Sequence, residues 1–246
     1  MASPLLWRLR HASTCQRGKL LELRFFEIFR NADYVRLLFE GAALSAGLTL
    51  FAGMIGFAIA MVLAFLRHRR VFGIHWVAVV YVEFIRNTPL IVQLFFVAFG
   101  LPLLLGYQWP FWAHALLALV LNFSAYFAEI LRAGFNTVGK GQEEAAQAMG
   151  IGPLIIFFKI TLPQAVGKMF PSLSSQFIFL FLTTGIISEI GVRDLTNAGI
   201  FIDSRTFRTF EVFVTLTAIY IAISLSFKAL MVGLYRLMFP WVGVQR

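Results

Sequence analysis

Charge and cysteine are scarce in this sequence. Only 13% of its 246 residues are charged, about half of the share in ordinary soluble domains, whereas 59% are hydrophobic and 28 are Phe. Such a composition excludes a typical soluble domain and favours helices that cross a membrane. The single cysteine, Cys15, excludes an internal disulfide. We therefore expect an all-α polytopic membrane protein.

Motifs of catalysis and metal binding are also missing. The sequence contains no nucleophile elbow, no HExxH and no paired-carboxylate constellation, so an intramembrane enzyme is the weaker hypothesis. The four histidines are scattered without metal-ligand spacing and predict no metal site. Residues 134–141 approach a P-loop, but Gly141 stands where a Ser or Thr would hold magnesium. We therefore expect no cofactor in this chain, and ATP and magnesium would be bound by another subunit.

Five apolar runs predict five membrane-spanning helices, each of about the length that a ~30 Å hydrocarbon core requires. They cover residues 41–66, 89–106, 111–131, 170–192 and 212–237. Pro89 disfavours the helical conformation at Thr88, so we expect a break just before the second run. Lys228 and Arg236 lie in the last third of the fifth run, where their side chains can snorkel to the membrane surface.

The chain divides into an N-terminal segment, one membrane domain and a short tail. Residues 20–39 are amphipathic at helical spacing and carry charges that exclude a span. We predict a helix lying along the membrane surface within segment 1–40. The membrane domain then covers residues 41–238, with its main polar loop at 137–163, and the tail covers 239–246.

Basic residues set the orientation in the membrane. With the 137–163 loop inside the cell, the two inner loops hold three and four Lys/Arg, whereas the outer loops hold none and three. The distribution of basic residues across the membrane therefore explains the net charge of +9. We expect the basic residues to contact a lipid bilayer and not a nucleic acid. Five spans place the N-terminus outside, in conflict with the seven basic residues of segment 1–40.

The longest mostly polar interval in the second half of the chain contains a short helix. Residues 142–149 are strong helix formers, and Gly139 and Gly141 end the apolar helix before them. Gly150 supplies the left-handed residue that helices favour after their last turn, and a Gly-Pro pair follows two residues later. The sequence therefore predicts a two-turn helix outside the membrane.

Polar groups inside the predicted spans indicate an ion pair and a candidate substrate path. Arg86 and Glu129 each lie toward the inner end of a span, and a structural ion pair is favoured over direct contact with a substrate. Interhelical hydrogen bonds explain the uncharged polar groups as well as a substrate path does. The candidate path residues are Gln93, Asn122, Tyr126, Gln176, Thr183 and Thr184.

Three stretches resemble one family. Glu144-Ala145-Ala146, followed at fixed spacing by Gly150 and Pro163, is similar to the EAA loop of the permease subunits of bacterial ABC importers. Residues 84–96 (FIRNTPLIVQLFF) and 125–134 (AYFAEILRAG) are similar to signatures of permeases for polar amino acids.

The resemblance implies an inner-membrane permease with the type I ABC importer fold and a transport role instead of an enzymatic one. It implies that the EAA loop docks on a cytoplasmic ATP-binding subunit and that two permeases pair. A periplasmic or extracellular binding protein would deliver a polar amino acid or a related compound such as an opine. The residues that the resemblance assigns to ATPase coupling are Gln142, Glu143, Glu144, Ala145, Ala146, Gly150 and Pro163.

One departure from the family pattern bears on the second permease. Residues 182–185 read LTTG where many of these permeases have a Lys-Asp-Ser/Thr-Ser-like string, so the fourth span lacks a charged pair. A non-identical second permease would supply such charges, and we expect one. The alternatives are a secondary transporter and a membrane scaffold without an ATPase. Against the transporter, the sequence shows neither paired half-repeats nor a second broken helix in a matching position.

Overall fold

The computed structural model describes residues 24–68 and 73–240. All regular structure in these two stretches is helical, which confirms the predicted fold class. The helices are α1 (Phe26–Arg30), α2 (Ala32–His68), α3 (Ile74–Arg86), α4 (Leu90–Phe95), α5 (Leu101–Leu105), α6 (Phe111–Phe135), α7 (Lys140–Ala148), α8 (Pro153–Ile156), α9 (Leu162–Thr183), α10 (Leu195–Thr206) and α11 (Thr209–Met238). Short π-helical turns at Phe96–Gly100 and Phe157–Thr161 join α4 to α5 and α8 to α9, and a 3₁₀ segment at Thr184–Ile190 follows α9.

Four continuous helical stretches are long and apolar enough to cross a membrane, and a bent pair is a fifth candidate. The four are Ala32–His68, Phe111–Phe135, Pro153–Ile190 and Thr209–Met238. The pair consists of Ile74–Arg86 and Leu90–Leu105, bent by 107°. The break between the two helices falls at the predicted position. Pro89 has an extended backbone and directly precedes α4. With the bent pair counted as one span, the described residues contain five candidate spans.

The first span begins earlier than the sequence predicts. α2 has 37 residues and starts at Ala32, so residues 32–40 continue into the span. Asn31 divides the predicted surface helix, since its backbone is extended and its side chain accepts a hydrogen bond from the Asp33 N–H at 2.9 Å. Tertiary packing overrides the polar composition here, because Leu38 is buried in a cluster with α10 and α11. Residues 1–23 lie outside the described residues, and a surface location for α1 stays a prediction.

The core is formed mainly by α2 packed along α6. Ala52, Gly56, Ala60 and Ala64 recur at every fourth position of α2, and all four are buried. A Cβ atom on Gly56 would lie 3.4 Å from the backbone nitrogen of Ser124 on α6. The small side chains therefore let the two backbones approach closely, as membrane helices do when they pack against one another.

Contacts between distant parts of the chain define the two ends of the bundle. At one end, His68 closes α2 and its Nε2 lies 3.6 Å from Glu143 Oε1 on α7. At the other end, Arg208 donates from Nε to Glu27 Oε2 at 2.7 Å, which ties the start of α11 to α1. The beginning of α2 and the polar loop thus lie at opposite ends of the bundle. This agrees with the three candidate spans between them, which are α2, the bent pair and α6.

The packed domain extends one residue beyond the last span. Phe239, which the sequence assigns to the tail, is 4% exposed. Its ring lies 5.8 Å from that of Phe170 and 5.7 Å from that of Tyr235. The absence of a side chain on Gly167 makes room for it, since a Cβ atom there would lie 3.1 Å from the Phe239 ring. Residues 241–246 lie outside the described part of the chain.

Candidate coupling site and polar path

α7 is a short helix with a defined C-terminal end. It starts two residues earlier than predicted, at Lys140. Gly150 has a φ of +74°, the left-handed conformation that the sequence predicts. The Gly150 N–H donates to the Gln147 carbonyl at 2.9 Å, and the Ile151 N–H donates to the Ala146 carbonyl at 3.1 Å. These two bonds form a Schellman motif, which satisfies carbonyls that the end of the helix leaves free.

One face of α7 is attached to the rest of its own chain. Glu143 Oε1 accepts a hydrogen bond from Thr161 Oγ1 at 2.6 Å. Gln142 Oε1 accepts one from Gln164 Nε2 at 2.6 Å, and Ala146 is only 1% exposed. Positions 142, 143 and 146 lie three or four residues apart and so lie on one side of α7. Ala146 is buried in the subunit, and the roles of these three residues in ATPase coupling stay predictions.

The opposite face of α7 is open to solvent in the subunit. Glu144, Ala145 and Ala148 are exposed, and Met149 is 72% exposed. A Cβ atom on Gly150 would meet nothing within 4 Å, so the end of the helix is also uncovered. α7 therefore has one face that is anchored to its own chain and another face that remains available to a partner.

The seventh predicted coupling residue, Pro163, lies on α9. Pro163 stands in the first turn of α9, directly after the π-helical turn Phe157–Thr161. It is half-buried and directly precedes Gln164, whose amide holds Gln142 of α7. Pro163 thus lies next to a residue that anchors α7.

Glu129 is the centre of a cluster of three arginines. Arg67 Nη1 lies 2.9 Å from Glu129 Oε2, and Arg86 Nη1 lies 3.6 Å from the same oxygen. Arg132 Nε donates to Glu129 Oε1 at 2.9 Å. The predicted neighbours Arg86 and Glu129 are thus within ion-pair distance, but Glu129 has closer partners on α2 and on its own helix.

Sequence reasoning missed Arg67 and Arg132. Arg132 follows Glu129 by three positions, a spacing that brings side chains together on a helix and was available as a signal. Arg67 lies in a basic run at the end of the first span, which by itself marks only the inner surface. Three arginines against one carboxylate leave the cluster with an excess of positive charge.

Gln93 and Asn122 join the bent pair to α6. Asn122 Nδ2 donates to Gln93 Oε1 at 2.9 Å, and Asn122 is 4% exposed. Gln93 Nε2 in turn donates to the Ile85 carbonyl at 2.7 Å and to the Thr88 carbonyl at 3.1 Å. These bonds satisfy backbone groups that the 107° bend releases from helical pairing. The Gln93–Asn122 bond is therefore an interhelical hydrogen bond, one of the two explanations that the sequence left open.

Tyr126 continues this line of polar groups toward the arginine cluster. The guanidinium carbon of Arg86 lies 5.8 Å from the centre of the Tyr126 ring, which is cation–π distance. Asn122, Tyr126 and Glu129 recur along one side of α6. A polar line thus runs on α6 from the bend to the end of the bundle where α7 lies.

The candidate path residues of α9 and of the 3₁₀ segment after it do not join that line. Thr183 donates to the Leu180 carbonyl at 2.8 Å, and Thr184 is fully buried and donates to the Phe181 carbonyl at 2.7 Å. Gln176 is half-buried. In the described part of the chain none of these three side chains bonds to Gln93 or Asn122, and Thr184 is closed to a ligand in this conformation.

Comparison with known proteins places these features in a family. Residues 54–242 match the family model described as "Binding-protein-dependent transport system inner membrane component". This chain belongs to that family. The permease is accordingly a multi-pass subunit of an ABC importer, a transport component and not an enzyme. The stretch that matches contains α7 and the arginine cluster.

Relatives and solved structures agree with the membership. The permease is 35% identical over 196 residues to the octopine transport system permease protein OccM of Rhizobium radiobacter, covering 76% of this chain and 80% of that one. It is 34% identical over 187 residues to the arginine transport system permease protein ArtQ of Bacillus subtilis, with coverages of 76% and 85%.

Two solved structures have the same fold. A crystal structure of an amino acid ABC transporter with histidines is 34% identical, with a TM-score of 0.77 over 88% of this chain and 99% of that chain. An inward-facing MetNI methionine ABC transporter, at 18% identity, has a TM-score of 0.73 over 85% of this chain and 99% of that chain. In the residues that the structure describes, the permease has no group of three His, Cys, Asp or Glu side chains suited to a metal ion.

Proposed function

We propose that this permease forms, with a second permease subunit, the translocation path of an ATP-driven importer in the inner membrane of a bacterium. The observation that carries the proposal is α7, which is anchored to its own chain by one face and exposes the other. A surface helix with exposed small side chains, such as Ala145 and Ala148, and an exposed Met149 at its C-terminal end is suited to close contact with another protein.

The anchoring contacts explain how a movement of α7 on docking would be transmitted to the membrane spans. Glu143 lies between His68, the last residue of α2, and Thr161, which precedes α9. A displacement of α7 would therefore act directly on the inner ends of two spans. ATP and magnesium would be bound by the partner ATPase, and the energy of nucleotide binding would reach the path through these contacts.

The substrate class that we propose is a polar amino acid or a related compound such as an opine. Support comes from relatives at 34–35% identity that are named for octopine and arginine transport. A soluble binding protein on the outer side would deliver the substrate. The residues that we propose for the path are Gln93, Asn122, Tyr126, Gln176, Thr183 and Thr184, the last only after a rearrangement that opens it. Arg86 and Glu129 are proposed as a structural pair at the inner end.

Purification of the permease from its own host in mild detergent tests the class. We expect mass spectrometry to identify an ATPase, a second permease and a binding protein, and the ligand of that binding protein names the substrate. In liposomes, the complex should take up this substrate only when ATP reaches the ATPase. Uptake by the permease alone on a proton or sodium gradient would instead establish a secondary transporter, and a chain that co-purifies with no ATPase and transports nothing would be a scaffold.

A further inference from the structure

A groove of about 350 Å³ separates α9 from α11 on one flank of the bundle. Its walls include Phe170, Ile178 and Met231, and its polar groups are two serines, one tyrosine and one lysine. These polar residues are Ser174, Ser175, Tyr235 and Lys228. A lysine and three hydroxyls in an otherwise apolar groove form a site for a ligand with an anionic head and an apolar tail.

Lys228 is an unusual residue for its position. It is exposed on α11, a helix whose outward side is mostly apolar. In the described residues, 24–68 and 73–240, Lys228 makes no ion pair. A charged side chain within a membrane span is costly unless it pairs or reaches the interface, so Lys228 requires either an anion or a route to the membrane surface.

The length of α11 places Lys228 near the inner surface. Its 30 residues extend over about 45 Å, roughly 15 Å more than the hydrocarbon core. If the excess is shared equally between the two ends, the inner boundary lies about five residues before Met238, and Lys228 starts about 7.5 Å inside it. The flexible stem of lysine covers most of this distance along the groove toward Tyr235. The ammonium thus comes close to the boundary of the hydrocarbon core, next to the lipid headgroups.

The groove faces away from the proposed substrate path. At about 100° per residue, Ser174 lies on the opposite side of α9 from Gln176 and Thr183. The groove is lined only by residues of α9 and α11. Its position on the outer flank therefore favours a lipid over a transported solute.

We propose that this groove binds an anionic phospholipid of the inner leaflet. Lys228 supplies the charge that a phosphate group requires, and Ser174, Ser175 and Tyr235 supply hydroxyl donors beside it. The acyl chain follows Ile178 toward the membrane centre. The assignment to the inner leaflet rests on the proposed cytoplasmic side of α7, whereas the lipid itself is tested independently of any ATPase.

Native mass spectrometry of the permease complex in nanodiscs tests the site. Nanodiscs of equal parts phosphatidylglycerol and phosphatidylcholine are used, and the lipids that remain bound after release are counted. We expect phosphatidylglycerol to be enriched about fivefold over phosphatidylcholine, the preference that one lysine near an anionic membrane surface gives. Lys228→Met should abolish the enrichment, and Lys228→Arg should retain it.

Two further variants separate the groove from general basicity and from folding defects. Arg236→Met removes a positive charge from the same end of α11 outside the groove and should leave the enrichment unchanged. Ser175→Phe keeps Lys228 but fills the groove, and it should lower the enrichment even if Lys228→Met does not assemble. Equal retention of the two lipids by the unmodified complex, or enrichment unaffected by Lys228→Met, would overturn the proposal. Capture of a second permease chain by a photo-crosslinker at Ile178 would also overturn it.

Discussion

Adjacent alanines of α7 have opposite environments because a helix turns by about 100° at each residue. Ala146 is 1% exposed and packs against its own chain, whereas Ala145 is exposed. The resemblance to the EAA loop assigns both alanines to ATPase coupling. The structure leaves only Ala145 of the two free to contact an ATPase.

Ala145→Arg should therefore interrupt docking without disturbing the fold. The new side chain projects from an exposed position, so insertion and folding should be normal. We expect ATPase binding to weaken by about thirtyfold or more, as for a hot-spot residue, and ATP-driven uptake to be lost. The measurements are ATPase co-purification and uptake at matched membrane levels. As the contrasting variant, Ala146→Arg buries a charge and should reduce the amount of folded permease. Normal uptake with Ala145→Arg would show that this face is not a docking surface.

The three arginines around Glu129 should not be equivalent. The Arg67 side chain is 9% exposed and lies 2.9 Å from the carboxylate, whereas Arg86 is 33% exposed and lies 3.6 Å away. Double-mutant cycles with alanine should give a coupling energy of about 1–3 kcal/mol for Arg67–Glu129. For Arg86–Glu129 we expect about 1 kcal/mol or less, with the double change milder than the sum of the single ones. Thermal unfolding of the complex in detergent measures both cycles, and a larger coupling at Arg86 would contradict this order.

At the scale of the element, α7 depends on a left-handed glycine at its end. Gly150 has a φ of +74°, and a Cβ atom there would meet no neighbour within 4 Å, so any cost of substitution comes from the backbone alone. Gly150→Val should cost about 1–2 kcal/mol locally and displace the end of α7, with loss of coupling but normal membrane insertion. Gly152→Ala is the matched control, because Gly152 has a φ of −65° that alanine adopts freely. Equal uptake by the two variants would show that the left-handed end is dispensable.

The N-terminal end of α10 predicts a dependence of stability on pH. Asp194 lies outside the spans, is fully buried and accepts hydrogen bonds from the N–H groups of Thr196 and Asn197. Burial raises the pKa of its carboxyl from 3.8 to about 6 and outweighs these bonds. Because this pKa is higher in the folded than in the unfolded state, the folded state binds more protons between about pH 4 and 6, and stability should increase as the pH falls through this window.

Asp194→Asn isolates that effect, because asparagine caps a helix as well as aspartate but does not titrate. The variant should be more stable than the unmodified permease at pH 7, and its melting temperature should vary less between pH 7 and 4. Asp194→Ala should also lose the pH dependence but should cost about 1 kcal/mol through the missing cap. Thermal unfolding in detergent over this pH range provides the measurement. An unchanged slope in Asp194→Asn would assign the dependence to other groups.

At the scale of the whole molecule, the central question is what the second permease contributes. Residues 182–185 lack the charged pair that the resemblance leads us to expect there. The hydroxyls of Thr183 and Thr184 bond to backbone carbonyls three residues earlier. Residues 182–185 therefore offer no charge of their own to a zwitterionic substrate. We predict a non-identical partner permease that carries the missing charges. The intact mass of the purified complex decides the matter, and two copies of this chain without another permease would contradict the prediction.

Features that depend on local chemistry could be predicted from the order of residues alone. Runs of apolar residues predicted the candidate spans. Pro89 predicted the break before α4, and Gly150 predicted the left-handed end of α7. Each of these follows from the length of an apolar segment or from the allowed backbone angles of one residue type. The family signatures are equally local, so the membership was also readable from the chain.

Which face of each helix meets which neighbour became known from the packing of the fold. The start of α2 at Ala32 depends on packing of Leu38 with α10 and α11, which lie more than 150 positions away along the chain. Glu129 has Arg67 as a partner because α2 and α6 end side by side. Ala146 is buried in a helix that packs against α8 and the π-helical turn after it. Contacts of this kind arise between helices whose relative rotation no local pattern specifies, since a polar residue in a span is compatible with several faces and several partners.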